Sequence, residues 1–348
     1  MKIRFIIISV LISCILMAAP VDLNKAQRVA GNIYAERSNT GVMDGFNLRS
    51  VDIIDENAVN LLYAFQLDSE GFILVPGDDR VTPMLAYSFE SNFILEDVPT
   101  NVAWMINAYK GMVQYALESD ESPTEKVNAE WEKYNTGNGL NIRNRDIKGP
   151  LLLSHWNQSG GWNNYCPGSC EGGDAVPSGC VAVAMSAIMH YWQYPVSGEG
   201  DNQCYCGGFG TQSADFNEAV YDYAAMGDAE SGSDAASYLV WHAGIAVNMG
   251  YDCEGSGAQV TGGYPSTEYA MKNYFKYKSS IYDTAPYSWS DAEWIDKLAT
   301  ELDNNRPFIY VGYNDEGGHA WNCDGYDDEL FHMNWGWGGS ENGWFTVT

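Results

Sequence analysis

Positive charge is scarce in this sequence. Its 348 residues include 18 Lys and Arg against 46 Asp and Glu, a formal net charge of −28. No Lys or Arg occurs from Gly149 to Met271, and most of the basic residues precede Gly149. Such a chain repels phosphate backbones and anionic membranes, so we expect neither nucleic acid nor a membrane surface as a partner. The change in composition near Gly149 predicts a domain boundary.

Long apolar runs are also missing beyond the N-terminus. The N-terminal run is Phe5–Met17, which is preceded by Lys2 and Arg4 and followed by the small residues Ala18 and Ala19. The run is too short for a confident membrane span and is typical of a secretory signal. We therefore predict a signal peptide at 1–19 and a mature protein that is secreted or held at the cell surface without a membrane segment.

The cysteines number eight, and loss of the signal would remove Cys14 and leave seven. An odd number in an oxidising compartment predicts one thiol kept free and up to three disulfides among the rest. The sequence leaves their pairing open. The mature cysteines are Cys166, Cys170, Cys180, Cys204, Cys206, Cys253 and Cys323.

The N-terminal part predicts a small α+β unit. Ala58–Phe65 and Phe72–Pro76 have the composition of strands, and the apolar positions of Val102–Leu117 recur with helical spacing. Glu118–Lys148 is polar and is predicted to be a linker with one short helix. The basic residues near its end, Arg143, Arg145 and Lys148, are candidate cleavage sites.

The rest of the chain predicts helices followed by antiparallel strands, which is an α+β arrangement. We see no internal repeat. The predicted helices are Val181–Tyr194, Ala235–Met249, Ser266–Phe275 and Asp291–Asp303. The predicted strands are Pro307–Val311, His319–Asn322, Leu330–Asn334 and Trp344–Val347.

Cys180 is the candidate nucleophile. Gly179 permits a sharp turn before an apolar, Ala-rich helix, so the thiol is expected in the first turn of a buried helix. A helix N-terminus favours negative charge and lowers the pKa of a thiol. The alternative is an inert core cysteine or half of a disulfide.

His319 is the candidate base. His190 lies almost three turns along the helix of Cys180, whereas His319 begins a strand directly after two glycines, an edge where catalytic side chains commonly project. Asn334 in the next strand is the candidate that orients the imidazole. The alternative for His319 is a histidine of a surface loop.

Two further features complete a possible acyl-transfer site. Trp335 could shield a His–Asn hydrogen bond, and Trp337 could form a wall of a peptide groove. The alternative is a packed aromatic corner. The backbone N–H of Cys180 and the amide of Gln158 are candidate oxyanion donors, although Asn157, Asn163 and Asn164 compete with Gln158.

Together these motifs resemble the streptopain family of secreted bacterial cysteine peptidases, which are papain-like in fold. The resemblance rests on Trp156-Asn157-Gln158 with Trp162–Pro167, Gly179–Ala182 with Ile188–Tyr191, Gly317–Ala320, and Phe331–Gly339. Gly71–Arg80 and Leu85–Ser88 resemble the inhibitory propeptide of that family.

The resemblance implies a secreted cysteine endopeptidase made as an inactive zymogen, acting on proteins and peptides without metal or cofactor. It implies an inhibitory propeptide with linker at 20–147, a peptidase domain at 148–348, and an activating cut near Arg145 to Gly149. Relatives continue beyond Thr348, which leaves open a missing C-terminal part.

The implied roles are carried over onto matching positions. A hydrophobic residue is the implied preference at the second position before the cut. The implied catalytic residues are Cys180, His319, Asn334, Gln158 and Trp335. The implied substrate-binding residues are Tyr313, Gly255, Ser256, Gly257 and Ala258, with Trp337 in the groove wall.

Three alternatives remain from the sequence. A Cys–His–Asn site could transfer acyl groups to amines, as transglutaminases do. The domain could instead be a catalytically silent extracellular binding module. Cys166, Cys170, Cys204 and Cys206 could form a zinc site, although export and their spacing favour disulfides.

Overall fold

The computed structural model describes residues 20–348 except 97, 229, 230, 315 and 316. The predicted signal peptide at 1–19 lies outside the described residues. The N-terminal elements are α1 (Leu23–Arg37), β1 (Leu48–Glu56), β2 (Val59–Leu67), β3 (Phe72–Pro76), β4 (Ala86–Ser88), α2 (Thr100–Glu118), α3 (Glu125–Thr136) and β5 (Ile147–Lys148). The later elements are α4 (Cys180–Trp192), β6 (Asp201–Tyr205), β7 (Thr211–Asp215), α5 (Asp234–Ala246), α6 (Thr267–Asn273), α7 (Asp291–Asp303), β8 (Phe308–Asn314), β9 (Gly317–Asp327), β10 (Leu330–Asn334) and β11 (Gly343–Thr346).

The α+β class predicted from the sequence is confirmed. The predicted bounds of β3, α7 and β10 match residue for residue, and the other predicted elements are displaced at their ends. Not predicted were α1, β1, β4, β5 and the β6–β7 hairpin. In the described residues no helix combines the length and apolarity that crossing a bilayer requires.

The central sheet runs through both predicted domains. Among the described residues its main path follows the order β1-β2-β3-β4-β11-β10-β9-β5, with β8 also paired to β9. The two parts meet where β4 pairs antiparallel with β11, which sets Tyr87 opposite Trp344 and Ala86 opposite Phe345. The N-terminal unit therefore extends the sheet of the C-terminal part.

Strand β2 is covered on both faces. Tyr63 and Phe65 pack in one apolar cluster with α1 and α3, whereas Leu62 and Ala64 pack in another with α2. Because successive side chains point to opposite faces, seven consecutive buried residues in β2 require cover on both sides. The apolar run of this strand is thereby explained.

The region 118–148 is more structured than a linker. Helix α3 buries Trp131 and Tyr134, three residues apart on one face, and Trp131 donates from Nε1 to the carbonyl of Val81 at 2.8 Å. At the C-terminal end of the region, β5 pairs with the end of β9. The polar composition of this region did not predict that Trp131 and Tyr134 would be buried and hold α3 in place.

The helical half is built around α4. Residues 181–189 of this helix are all buried, as predicted, in a core shared with α5, α6 and the β6–β7 hairpin. Asn322 of β9 donates to the carbonyl of Ala184 at 3.0 Å and ties the sheet to this helix. The first residue of α4 therefore lies at the junction of the helical half and the sheet.

Candidate active site

Cys180 is the first residue of α4, as the sequence predicts. Gly179 before it has φ 90°, in the left-handed region that side chains disfavour. A Cβ at Gly179 would also lie 2.9 Å from the carbonyl oxygen of Ser256. Both the close approach of the 255–258 loop and the turn of the backbone require glycine at position 179. This glycine therefore fixes where α4 begins, and Cys180 is its first residue.

The sequence predicts a lowered pKa for Cys180, and the structure differs. Burial raises the pKa of this thiol, and the backbone amides of Ala320, Val181 and Cys180 itself offset the rise only in part. Desolvation therefore outweighs the helix N-terminus in this state of the chain. The thiol has amide donors around it but is held mainly in its protonated form.

His319 lies in β9 next to a residue that contacts Cys180, the candidate nucleophile. Ala320, the next residue, brings its backbone amide to the Cys180 thiol. His319 and Ala320 also line a pocket of about 260 Å³ together with Val181, the residue that follows Cys180. The nucleophile and the candidate base thus belong to elements that meet at one pocket.

Three of the other histidines make contacts elsewhere. His190 packs on the ring of Trp156, and burial lowers its pKa. His242 is buried against Tyr221, and burial lowers its pKa to about 4. His332 is buried between Asp324 and Glu90. None of the three lines the pocket beside Cys180.

Asn334 ends β10, but the register does not set it opposite His319. It pairs with Asn322, three residues further along β9, whereas His319 pairs with Gly312 of β8. The Asn334 amide donates to the carbonyl of Ser154 at 2.8 Å and accepts from the Gly336 amide at 3.3 Å. Its role as orienter stays a prediction.

Gln158 is held close to the start of α4. Its carbonyl accepts from both the amide and the hydroxyl of Ser178, at 2.9 and 3.2 Å. Its own amide donates to the side chain of Asn157 at 2.6 Å. Because Ser178 is two residues before Cys180, these bonds fix Gln158 near the nucleophile, and Asn157 acts on its backbone.

The two candidate tryptophans occupy different surroundings. Trp335 is fully buried, packs on Trp321 with ring centroids 4.9 Å apart, and donates to the carbonyl of Glu341. Trp337 is half-buried and donates from Nε1 to Asn101 at 2.8 Å. Trp335 is thus part of the core packing, while Trp337 lies where the N-terminal unit contacts this loop.

Three of the five remaining predicted groove residues line the pocket beside His319. Gly257, Ala258 and Tyr313 line it, and the Tyr313 ring lies over Gly318. Ser256 is instead bonded to the carbonyl of Pro177 at 2.5 Å, which anchors the 255–258 loop to the turn before Cys180. Gly255 lies beside Ser256 but does not line this pocket.

The sequence reasoning missed two residues of α2 that reach the site. Trp104 donates from Nε1 to the carbonyl of Tyr313 at 2.7 Å, and its ring lies against Gly312. Asn101 donates to the carbonyl of Trp335 at 3.0 Å and accepts from Trp337. Asn101 is buried because its partners, Trp335 and Trp337, are distant in sequence. The residues around Asn101 in the sequence therefore do not reveal its role.

The cysteines pair less than the sequence suggests. Cys170 and Cys253 form a disulfide, and the other described cysteines are free thiols. This bond joins the loop before Cys180 to the loop before Gly255. It also removes Cys170 from the proposed zinc set, and no cluster able to hold a metal occurs in the described residues.

Comparison with known families identifies both parts of the chain. Residues 156–345 match the model of the peptidase C10 family, and residues 18–113 match that of the Spi protease inhibitor. The chain belongs to the peptidase C10 family. It is therefore a cysteine peptidase by family, with an inhibitor domain in front, and the resemblance to streptopain is confirmed.

Relatives and solved structures agree. The chain is 29% identical to the thiol protease/hemagglutinin PrtT of Porphyromonas gingivalis over 99% of its length, but spans 41% of that protein. It is 27% identical to streptopain of Streptococcus pyogenes, over 86% of this chain and 79% of that one. A Cys-to-Ala variant of prointerpain A from Prevotella intermedia superposes with TM-score 0.69 at 26% identity, covering 86% and 91% of the two chains. The predicted papain-like fold with an N-terminal prodomain is thus confirmed.

Proposed function

We propose that this C10 peptidase is a secreted cysteine endopeptidase made as a zymogen, with Cys180 as nucleophile and His319 as general base. The observation that carries the proposal is the meeting of α4 and β9. The Cys180 thiol lies within reach of the Ala320 amide, and His319 lines the pocket that begins at Val181. A Cys and a His on elements that meet at one pocket are the minimum that acyl transfer requires.

The proposed reaction starts with transfer of the thiol proton to His319. The thiolate attacks the peptide carbonyl, and the oxyanion accepts hydrogen bonds from the Cys180 amide and the Gln158 side chain. His319 then protonates the leaving amine, and the thioester remains on Cys180. Water, activated by His319, releases the acid and restores the thiol.

Two residues are proposed to support the base. Asn334 would orient the imidazole once its bond to Ser154 exchanges, and Trp335 would keep water from the pair through the packing of Trp321. Both roles act through His319, because neither residue lines the pocket itself.

The pocket supports a hydrophobic residue at the second position before the cut. Its walls include Val260, Val311 and Ala258, with the Tyr313 ring across Gly318 at the rim. Such walls favour an apolar side chain through burial of its surface and penalise a charged one. Trp337 and the 255–258 loop are proposed to continue the groove on either side.

The prodomain is proposed to inhibit by covering this groove. Trp104 bonds Tyr313, and Asn101 bonds both Trp335 and Trp337. Two candidate substrate-binding residues are thereby bonded to α2, and Cys180 stays buried with a raised pKa. Removal of the prodomain would free the groove and let water and substrate reach the thiol.

Two variants test the proposal. Cys180→Ser should abolish casein hydrolysis and leave the precursor uncut, whereas Cys323→Ser, which alters a buried thiol of β9, should keep activity. A Cys180→Ser protein that digests casein would refute the assignment.

Val260→Asp should lower kcat/KM for substrates with Leu at the second position and spare those with Lys. Val196→Asp, at an exposed site away from the pocket, is the matched control.

A further inference from the structure

Two buried thiols, Cys204 and Cys206, lie side by side in the β6–β7 hairpin. They follow Cys180 in the sequence by 24 and 26 residues. The Sγ atoms of Cys204 and Cys206 are 2.6 Å apart, and both residues are buried. Two thiols that do not bond cannot approach so closely without strain, whereas a disulfide bond requires a separation of only about 2 Å. The pair therefore needs little movement to become bonded.

The local backbone explains the approach. Residues two apart in a strand point to the same face, and β6 alternates so that Asn202 and Cys204 are buried and their neighbours exposed. The strand ends at Tyr205, and Cys206 begins the bend towards β7, with its amide donating to the carbonyl of Gly210 at 2.8 Å. The bend turns the second thiol towards the first.

A third thiol lies near, but its surroundings differ. Cys166 is close enough to Cys206 to raise the pKa of that thiol, and Cys166 itself lies beside the hydroxyl of Tyr251. Burial and these neighbours keep Cys206 protonated at neutral pH, with a pKa of about 12. A thiol with a raised pKa is a poor leaving group in thiol–disulfide exchange, so a bond formed here during folding would persist.

We propose that Cys204 and Cys206 form a second disulfide in the mature protein. The bond forms by exchange with a disulfide oxidant, either a small-molecule disulfide or a thiol oxidoreductase. The two cysteine thiols give up two protons and two electrons, and the oxidant's disulfide is reduced to two thiols. The inference rests on the proposed export, because only an oxidising compartment supplies that oxidant.

The bond would lock the hairpin against α5. Asn202, two residues before the pair, donates to the carbonyl of Ile245 at 2.7 Å and to the side chain of Asn248 at 2.8 Å. A crosslink at the end of β6 holds this strand in the register that makes these contacts. It also leaves Cys180, Cys166 and Cys323 as the thiols of the mature chain.

Peptide mapping after proteolysis tests the proposal, and the absence of Lys and Arg from Gly149 to Met271 decides which protease is used. Trypsin does not cut this region, but a protease specific for Asp and Glu releases Asn202–Asp215 as one peptide that contains both cysteines. The mature protein, folded in a glutathione redox buffer, is unfolded and alkylated without reduction before digestion. We expect this peptide to be unalkylated and lighter by two hydrogen atoms than after reduction.

Variants and an internal control make each outcome decisive. Cys204→Ser should leave Cys206 open to alkylation, and the Cys170–Cys253 pair should appear as a linked peptide in every digest. Double alkylation of the 202–215 peptide without reduction would overturn the proposal, as would a link from either cysteine to Cys166. Activity is measured on the same sample, so loss of the disulfide is distinguished from failure of the proposed peptidase function.

Discussion

Asn101, in the first turn of α2, accepts a hydrogen bond from the indole nitrogen of Trp337 at 2.8 Å. The same amide donates to the carbonyl of Trp335 at 3.0 Å, and the residue is buried. One prodomain side chain thus satisfies two polar groups of the loop that the sequence assigns to the catalytic wall.

Asn101→Ala should therefore weaken inhibition by the prodomain. Leaving a buried donor and acceptor unpaired costs about 1–3 kcal/mol for each group, so the lag before self-activation should shorten roughly tenfold or more. The lag is measured with a fluorogenic peptide. Gln114→Ala is the control, because Gln114 of the same helix bonds Glu56, which belongs to the prodomain itself. An unchanged lag would contradict the inhibitory role of Asn101.

Gln158→Ala should reduce catalysis without weakening substrate binding. Removing one oxyanion donor lowers kcat by about 10²–10³-fold, because its bond forms mainly in the transition state. Steady-state kinetics of the mature enzyme measure kcat and KM separately. Asn164→Ala, which removes an exposed amide bonded to Asp234, should leave both constants unchanged. A Gln158 variant with raised KM and normal kcat would argue against an oxyanion role.

A partly buried ion pair predicts how pH affects prodomain docking. His332 of β10 bonds Asp324 at 2.6 Å and the prodomain residue Glu90 at 2.5 Å. Burial opposes the charge on His332, but the two carboxylates prevail and raise its pKa to about 10. Burial likewise opposes the charge on Glu90, but His332, with a smaller contribution from His155, lowers its pKa.

The direction in which pH changes stability follows from these two shifts in pKa. The lowered pKa of Glu90 stabilises docking above the ordinary carboxyl value, and this stabilisation is lost as pH falls through the lowered pKa. The raised pKa of His332, which Asp324 and Glu90 maintain against burial, stabilises the folded zymogen below the ordinary imidazole value, and this stabilisation is lost as pH rises through about 10. In the Cys180→Ser background, Glu90→Gln should lower the thermal midpoint most near neutral pH.

The difference between the two proteins should shrink on acidification and vanish once Glu90 is protonated. Glu341, which accepts from the Ile94 amide and whose pKa burial raises to about 8, titrates in both proteins and cancels in the comparison. A difference in thermal midpoint that stays constant from neutral to acidic pH would show that the Glu90–His332 charge pair does not stabilise docking.

The activation linker predicts an order of cuts. The Arg145 side chain is buried against Asp327, and Ile147–Lys148 pairs with β9, so the backbone expected to be cut is held in structure. Arg143 is exposed outside any strand, and Ile142 before it suits a hydrophobic second position. We therefore expect the first cut after Arg143 and a later one after Lys148.

Ile142→Asp should slow the first cut, whereas Ile147→Asp, the matched change in β5, should slow only the later one. The intermediates are identified by mass and N-terminal sequencing during self-activation. A first intermediate that begins at Gly149 would mean that β5 separates from β9 before cleavage, contrary to this order.

The sequence predicted the fold well where local pattern decides the structure. The apolar helix after Gly179 and the strands Phe72–Pro76 and Leu330–Asn334 follow from periodicity and turn residues. The helix α3 was harder to predict because its stability comes from Trp131 and Tyr134 packing on α1, which a polar segment does not reveal. The β4–β11 pairing joins positions more than 250 residues apart, beyond any local signal.

The site was predictable in its residue types but not in its geometry. The sequence identified Cys180 and His319, and the structure brings their elements together at one pocket. Asn334 was expected beside His319, but the pairing of β10 with β9 sets it opposite Asn322, three residues from His319. The lowered pKa expected for Cys180 is wrong for this structure, because burial of the thiol outweighs the backbone amides around it.

The most direct test of the central claim is to label the activated enzyme with an alkylating epoxide inhibitor and to map the modified residue. One modification is predicted, on Cys180, together with loss of activity, because Cys166 and Cys323 are buried and have raised pKa values, and Cys204 and Cys206 are buried and proposed to be bonded to each other. Inactivation with the label on any other residue, or full activity with Cys180 modified, would contradict the assignment of Cys180 as the nucleophile.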